Sequence, residues 1–187
     1  MKSQSTSISI EASANSLLVK YSIQDAPVDV AGIARALGVT VHFEQLDDEV
    51  SGMLVVKNKE KHIIVNKTHH SNRRRFTIAH ELGHLVLHYK QGDEVYVDTK
   101  MMVYHRSGRT QDYSHPHATT TPQQEREANS FASALLMPKS MVERFVDSQG
   151  IDVFDEFDLA KLAQAFDVSE QAMYIRLNTL KLVQVIA

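Results

Sequence analysis

Between Ala79 and Leu85 the chain reads His80-Glu81-Leu82-Gly83-His84. Two histidines at i and i+4 of a helix stand one turn apart on one face, which suits two ligands of one metal ion. Glu81 is one step round from His80 and can reach a water at that ion without being a ligand itself. In this reading zinc lowers the pKa of the water towards ~7, and Glu81 takes its proton and hands it to a leaving amine. The chain has no cysteine and 10 histidines. The missing cysteine excludes a disulfide framework, a thiol nucleophile, an iron–sulfur cluster and a thiolate zinc site, so any metal is held by imidazole and carboxylate. The bland alternative is a buried helix that merely contains two histidines. It weighs less, because two imidazoles and a carboxylate in so apolar a helix are costly to bury without partners or a metal.

A tetrahedral catalytic site takes a third protein ligand and leaves the fourth position to water. His88 is near in sequence but lies about 12 Å from His80 along a helix axis, too far for one ion. The chain also lacks the glycine that folds a third histidine back in the H-E-x-x-H-x-x-G-x-x-H pattern. The better candidate is in Glu125-Arg126-Glu127-Ala128-Asn129. Glu125 shares a helix face with Ala128, Asn129, Ala132, Leu135 and Leu136, and a carboxylate on that inward face needs a reason. Asn129 is one turn further on, placed to hydrogen-bond a liganding histidine. Glu127 is rotated about 200° from Glu125 and reads as a solvated glutamate, with the role of alternative ligand left open. The set His80, His84 and Glu125 with Glu81 as base describes a two-histidine, one-carboxylate hydrolase. The donor types favour Zn2+, while Mn2+ or another divalent ion also suits them.

The elements that must hold these residues are legible in outline. Asn72 to Tyr89 is apolar on nearly every side after Phe76, the mark of a buried helix. Thr121-Pro122-Gln123-Gln124 carries an N-cap, a first-turn proline and a capping-box glutamine, and this second helix should run to about Met137 and stop at Pro138. Upstream, Val28 to Leu37 reads as a short amphipathic helix closed by Gly38, and Val39 to Phe43 as a strand. Met53 to Val56 and His62 to Val65 read as a strand pair around a polar turn. Glu94 to Tyr104 has strand character, and His105 to Thr120 reads as a long polar loop. Helices follow over Ser140 to Asp147, Asp155 to Phe166 and Ser169 to Leu180. The predicted class is α+β: a small mixed sheet packed on the buried His80–His84 helix, with a helical C-terminal subdomain. Residues 1–12 read as a flexible tail, 13–147 as the metallopeptidase domain and 148–187 as the C-terminal subdomain.

Taken together, Arg74-Arg75-Phe76-Thr77-Ile78-Ala79-His80-Glu81-Leu82-Gly83-His84-Leu85, Glu125 to Ala132 and Leu135-Leu136-Met137-Pro138 resemble the ImmA/IrrE family of zinc metallopeptidases. So do Pro27 to Val39, Ser51-Gly52-Met53 and Ala165 to Leu177, and the resemblance spans about Leu18 to Val183. It implies a bacterial, phage or mobile-element protease that cuts a transcriptional repressor or an antitoxin-like regulator. The long loop from His105 to Thr120 departs from the family pattern.

The remaining features are weaker. Tyr104, His105, Arg106, Tyr113, His115 and His117 lie between the two metal-binding segments, and one of them could stabilise an oxyanion. None is singled out, because a polar surface loop explains each. His69-His70 read as helix-entry residues. Arg73-Arg74-Arg75 opposes the helix dipole and should be offset by acidic neighbours. Asp158 to Leu180 resembles a helix-turn-helix, but Ile151 to Ala187 carries three basic residues against six acidic ones, which argues against DNA binding. The whole chain, with Lys+Arg 20 against Asp+Glu 23, lacks the basic excess usual in nucleic-acid proteins. No signal peptide or membrane-length apolar run is found, so a cytoplasmic location is expected. Met53 to Val56 is the expected sheet edge for an extended substrate. The reading is a zinc endopeptidase acting on a protein substrate, a DNA-binding repressor or antitoxin-like partner. The alternative is a regulatory module with a structural metal, acting by binding a repressor, a toxin or DNA.

Overall fold

The computed structural model describes residues 2–92, 94–99 and 120–183. In chain order they form α1 (Lys2–Lys20), α2 (Val30–Ala36), β1 (Val39–Glu44), β2 (Val50–Lys57), β3 (Glu60–Asn66), α3 (Ser71–Leu87), β4 (Glu94–Thr99), α4 (Pro122–Leu136), α5 (Lys139–Gln149), α6 (Glu156–Phe166) and α7 (Glu170–Thr179). The class is α+β, as expected, and the reasons are local. Asp29 caps α2 by accepting from the Gly32 amide, and Gly38 follows it at φ +73°. Asn58 and Lys59 both hold positive φ, which closes the β2–β3 hairpin with the twist its strands need. Thr121 and Gln124 form the complete capping box at the start of α4, with Pro122 in its first turn.

The four strands run in the order β1-β3-β2-β4. β1 is parallel to β3, and β2 is antiparallel to both β3 and β4. This corrects the expectation that Met53 to Val56 is a sheet edge. Met53 pairs with Ile64 on one side and Val97 on the other, so β2 is interior. The chain returns after α3 to lay β4 on the free side of β2, a tertiary pairing that no local pattern announces. Alternation along the strands buries Leu54, Val56, Ile63 and Val65 towards α3.

Helix α3 is held between that sheet and α4, while α2 packs on α3 and α1 packs on α4. Hence every residue from Thr77 to Leu85 is buried. The two-sided packing requires small residues at two points. A Cβ on Gly52 would stand 2.5 Å from Thr77 Cγ2 and 2.7 Å from the Ile64 carbonyl oxygen. A Cβ on Gly83 would stand 3.0 Å from Ala128 Cα. Helix α1 is an element beyond those expected from the sequence and takes in much of the segment read as a tail. Its Ile10 is buried with Ala14, Leu17 and Leu18 in the core. Apolar residues at Ile10, Ala14, Leu17 and Leu18 make a narrow helical stripe that serine-rich surroundings conceal.

Polar ties fix the C-terminal helices, whose Phe166, Met173 and Leu177 share the same core. Arg176, 2% exposed, donates from Nε to the Met137 carbonyl at 2.9 Å and makes a two-pronged pair with Glu11. Arg75 pairs with Asp167 at 3.0 Å and donates to the Val28 carbonyl. Arg73 donates to the buried Ser51 hydroxyl, and Arg74 lies over the Phe43 ring. The arginine run is thus a set of anchors, of which Arg75 meets an acidic partner. Among the described residues no helix is long and apolar enough to cross a membrane.

Because a backbone carbonyl cannot swing away as a side chain can, Gly52→Ala should force β2 from α3 or β3. The expected cost is roughly 1–3 kcal/mol, a fall of about 2–12 °C in melting temperature by calorimetry. An unchanged melting temperature would refute this account of the packing.

Candidate metal centre

His80 and His84 occupy the second half of α3, with their rings 4.7 Å apart at 75°. Glu125 lies in the first turn of α4. Because α4 runs across α3 at Gly83, between the two histidines, the Glu125 carboxylate meets both rings. His80 Nε2 is 3.0 Å from His84 Nε2 and 3.2 Å from Glu125 Oε2, and His84 Nε2 is 3.4 Å from Glu125 Oε1. One donor atom from each residue lies within 4.8 Å of the others. His80, Glu81, His84 and Glu125 are 1%, 0%, 1% and 5% exposed.

The protonation states suit a cation. Asn129 Oδ1 can only accept, so His80 donates its Nδ1 proton to it at 3.0 Å and keeps its lone pair on Nε2, towards Glu125. Burial pulls the pKa of His84 below its ordinary value, against the opposing hydrogen bond to Glu125, and keeps the imidazole neutral. Burial alone would raise the Glu125 carboxyl. The His80 and His84 imidazoles beside it, with the Thr120 side chain adding to them, outweigh burial and hold the group well below the usual carboxylate range. Two imidazoles and an ionised carboxylate converging in a buried space can hold a divalent metal ion, and the donor set fits one of borderline softness.

The other sequence candidates fall as follows. Glu81 is buried on α3 beside His80. Glu127 stands apart from the cluster. It accepts from Gln123 at 2.8 Å and lies 3.7 Å from His88 Nε2. His88 is turned to α4, where Nε2 donates to the Gln124 carbonyl at 3.2 Å, next to Glu125. His70 caps α3, accepting from the Asn72 amide. Tyr104, His105, Arg106, Tyr113, His115 and His117 lie outside the described residues. Two contacts had no sequence reading. Tyr96 of β4 stacks on the His84 ring, centroids 5.0 Å apart at 24°, and its hydroxyl donates to Glu94. Strand alternation places Glu94 and Tyr96 on one face, but not which face. Thr120, the last residue of the expected loop, is one of the groups that hold Glu125 ionised. Its place beside the helix cap at Thr121 was the available signal.

Comparison with known proteins bears on the same elements. The chain is 26% identical over 140 residues to "Uncharacterized immunity region protein 2" of Bacillus phage phi105, covering 75% of each chain. The model of the Peptidase_M78 family, described as the IrrE N-terminal-like domain, matches residues 34–178. That span takes in both helices that meet at the cluster and the sheet behind them, and so the chain belongs to the Peptidase_M78 family.

Proposed function

We propose that the protein is a zinc-dependent endopeptidase that cuts a specific regulatory protein. In this reading His80, His84 and Glu125 hold the ion, Asn129 orients His80, and Glu81 serves as general base and then acid. The observation that carries it is the convergence of three buried donors, one atom from each of His80, His84 and Glu125 within 4.8 Å of the others. A bound zinc ion supplies Lewis acidity, which polarises a carbonyl and brings the pKa of water towards ~7. Glu81 takes one proton from the attacking water through a carboxylate oxygen. It returns that proton to the amide nitrogen as the C–N bond breaks. Its burial in α3 keeps bulk water from competing for the proton.

A purely structural zinc site usually closes its coordination with four protein ligands and has no use for an adjacent base. Among the described residues three donors converge, and Glu81 next to His80 supplies a base that a structural site has no use for, which favours the enzyme over a regulatory module with a structural metal. Membership of a peptidase family supports the same choice. A relative named as an immunity region protein supports a regulatory target. A DNA-binding repressor or antitoxin-like protein in the cytoplasm is the substrate proposed. The acidic balance of the C-terminal helices argues that the chain meets the repressor rather than the DNA.

Glu81→Gln should keep its metal and lose roughly 10²–10⁴ in cleavage rate, with the repressor-like protein encoded beside this gene as substrate and a chelator-treated control. An active Glu81→Gln enzyme would sink the mechanism. Asn129→Ala should weaken metal binding about 10–100-fold in competition with a chromophoric chelator, and unchanged affinity would remove its role. Metal analysis of the isolated protein separates zinc from manganese. The pH dependence has a definite sign. His84 and Glu125 both titrate lower in the folded chain than their ordinary 6.5 and 4.5, so the unfolded chain binds more protons. The metal-free protein should therefore lose stability as pH falls from about 6.5, and again below about 4.5. A melting temperature in chelator that stays level from about pH 7 to pH 4 would contradict this.

A further inference from the structure

His42 and His62 belong to neither the candidate centre nor the core. β1 and β3 are parallel, with Thr40 opposite His62 and His42 opposite Ile64, so the two histidines are diagonal neighbours across the strands. Val39, Ile63 and Val65 point to the core, and alternation puts His42 and His62 on the other face of the sheet. There His42 Nε2 stands 3.0 Å from His62 Nδ1, with the rings 5.2 Å apart at 39°. The same separation joins His80 Nε2 and His84 Nε2 in the candidate centre. Two nitrogens each 2.0–2.1 Å from one zinc lie about 2.8–3.4 Å apart, for angles from square to tetrahedral.

The other ring nitrogen of His62 is also accounted for. Nε2 lies 3.7 Å from Glu60 Oε2, two residues back along β3. A carboxylate on that side favours the tautomer protonated at Nε2 and leaves the Nδ1 lone pair facing His42. The His62 side chain is 33% exposed and that of Glu60 78%, so an ion reaches the pair directly and water can complete its coordination. Two imidazoles prefer Zn2+, Ni2+ or Cu2+ to the hard ions Mg2+ and Ca2+, with Cu2+ bound most tightly.

We propose that His42 and His62 form a second, surface site for a divalent transition-metal ion, with Glu60 behind His62. The site stands apart from the peptidase reading and survives its failure. The test uses the full chain, stripped with chelator and titrated with Zn2+ by calorimetry. Its readout is the difference in bound ions between the wild type and each variant, which is independent of how many ions bind elsewhere. His42→Ala and His62→Ala should each bind one ion fewer per chain, and the lost ion should be the weaker one. Glu60→Gln should keep the count and weaken that ion by up to about tenfold. Melting in chelator shows that each variant folds, and His62→Asn replaces any that does not. Variants that bind as many ions as the wild type would overturn the proposal and leave a plain imidazole–imidazole hydrogen bond.

Discussion

At Gly83 the backbone of α3 lies against the backbone of α4 at Ala128, with no side chain between them. Packed helices stand roughly 8–10 Å apart according to the side chains at their contact, and a glycine facing an alanine sets the short end of that range. Such an approach brings a glutamate on one helix against two histidines on the other. Gly83 lies between His80 and His84, so the close point coincides with the pair that needs it. The rest of the fold holds the contact. The sheet supports α3 from behind, α1 supports α4, and the capping box fixes where α4 begins. His88 ties the end of α3 to the Gln124 carbonyl, one residue before the carboxylate.

That contact also explains how so polar a group is tolerated inside. Unpaired, a buried carboxylate would neutralise itself and a buried imidazole would cost hydrogen bonds. Here each group supplies what the next requires. Asn129 accepts from His80, the imidazoles meet Glu125, and Tyr96 covers the open face of His84. The protonation states that suit a metal are therefore a result of packing. The sheet and the paired helices also need stability from elsewhere, and the C-terminal helices contribute through Arg75–Asp167 and Arg176–Glu11.

The parts of this arrangement legible from sequence are those that local patterns encode. Apolar residues all round α3 reveal a helix packed on two sides. The capping box reveals the first turn of α4, and helical phase separates Glu125 from Glu127. The parts that were not legible depend on which elements become neighbours. β2 is interior because β4 returns to it, Tyr96 meets His84 for the same reason, and His42 meets His62 because β1 and β3 are parallel. Helix α1 was missed for another cause, since four apolar residues among serines give too weak a stripe to distinguish a helix from a tail.

The same distinction separates the two histidine pairs. His80 and His84 are a spacing within one helix, so a motif finds them, but their third partner is unreachable without the α3–α4 contact. The place of that contact has an electrostatic consequence. His84 lies in the last turn of α3, where the helix dipole favours positive charge. Glu125 lies in the first turn of α4, where it favours negative charge. Each end contributes typically 0.3–1 kcal/mol at an exposed site and up to ~2 kcal/mol when partly buried. A cation at the cluster would sit between the α3 end that attracts it and the α4 end that opposes it, while Glu125 sits on the end that keeps it ionised. Moving Glu125 one turn along α4 would lose both this bias and the reach to His80, which is why the capping box at Thr121 matters to the site and not only to the helix.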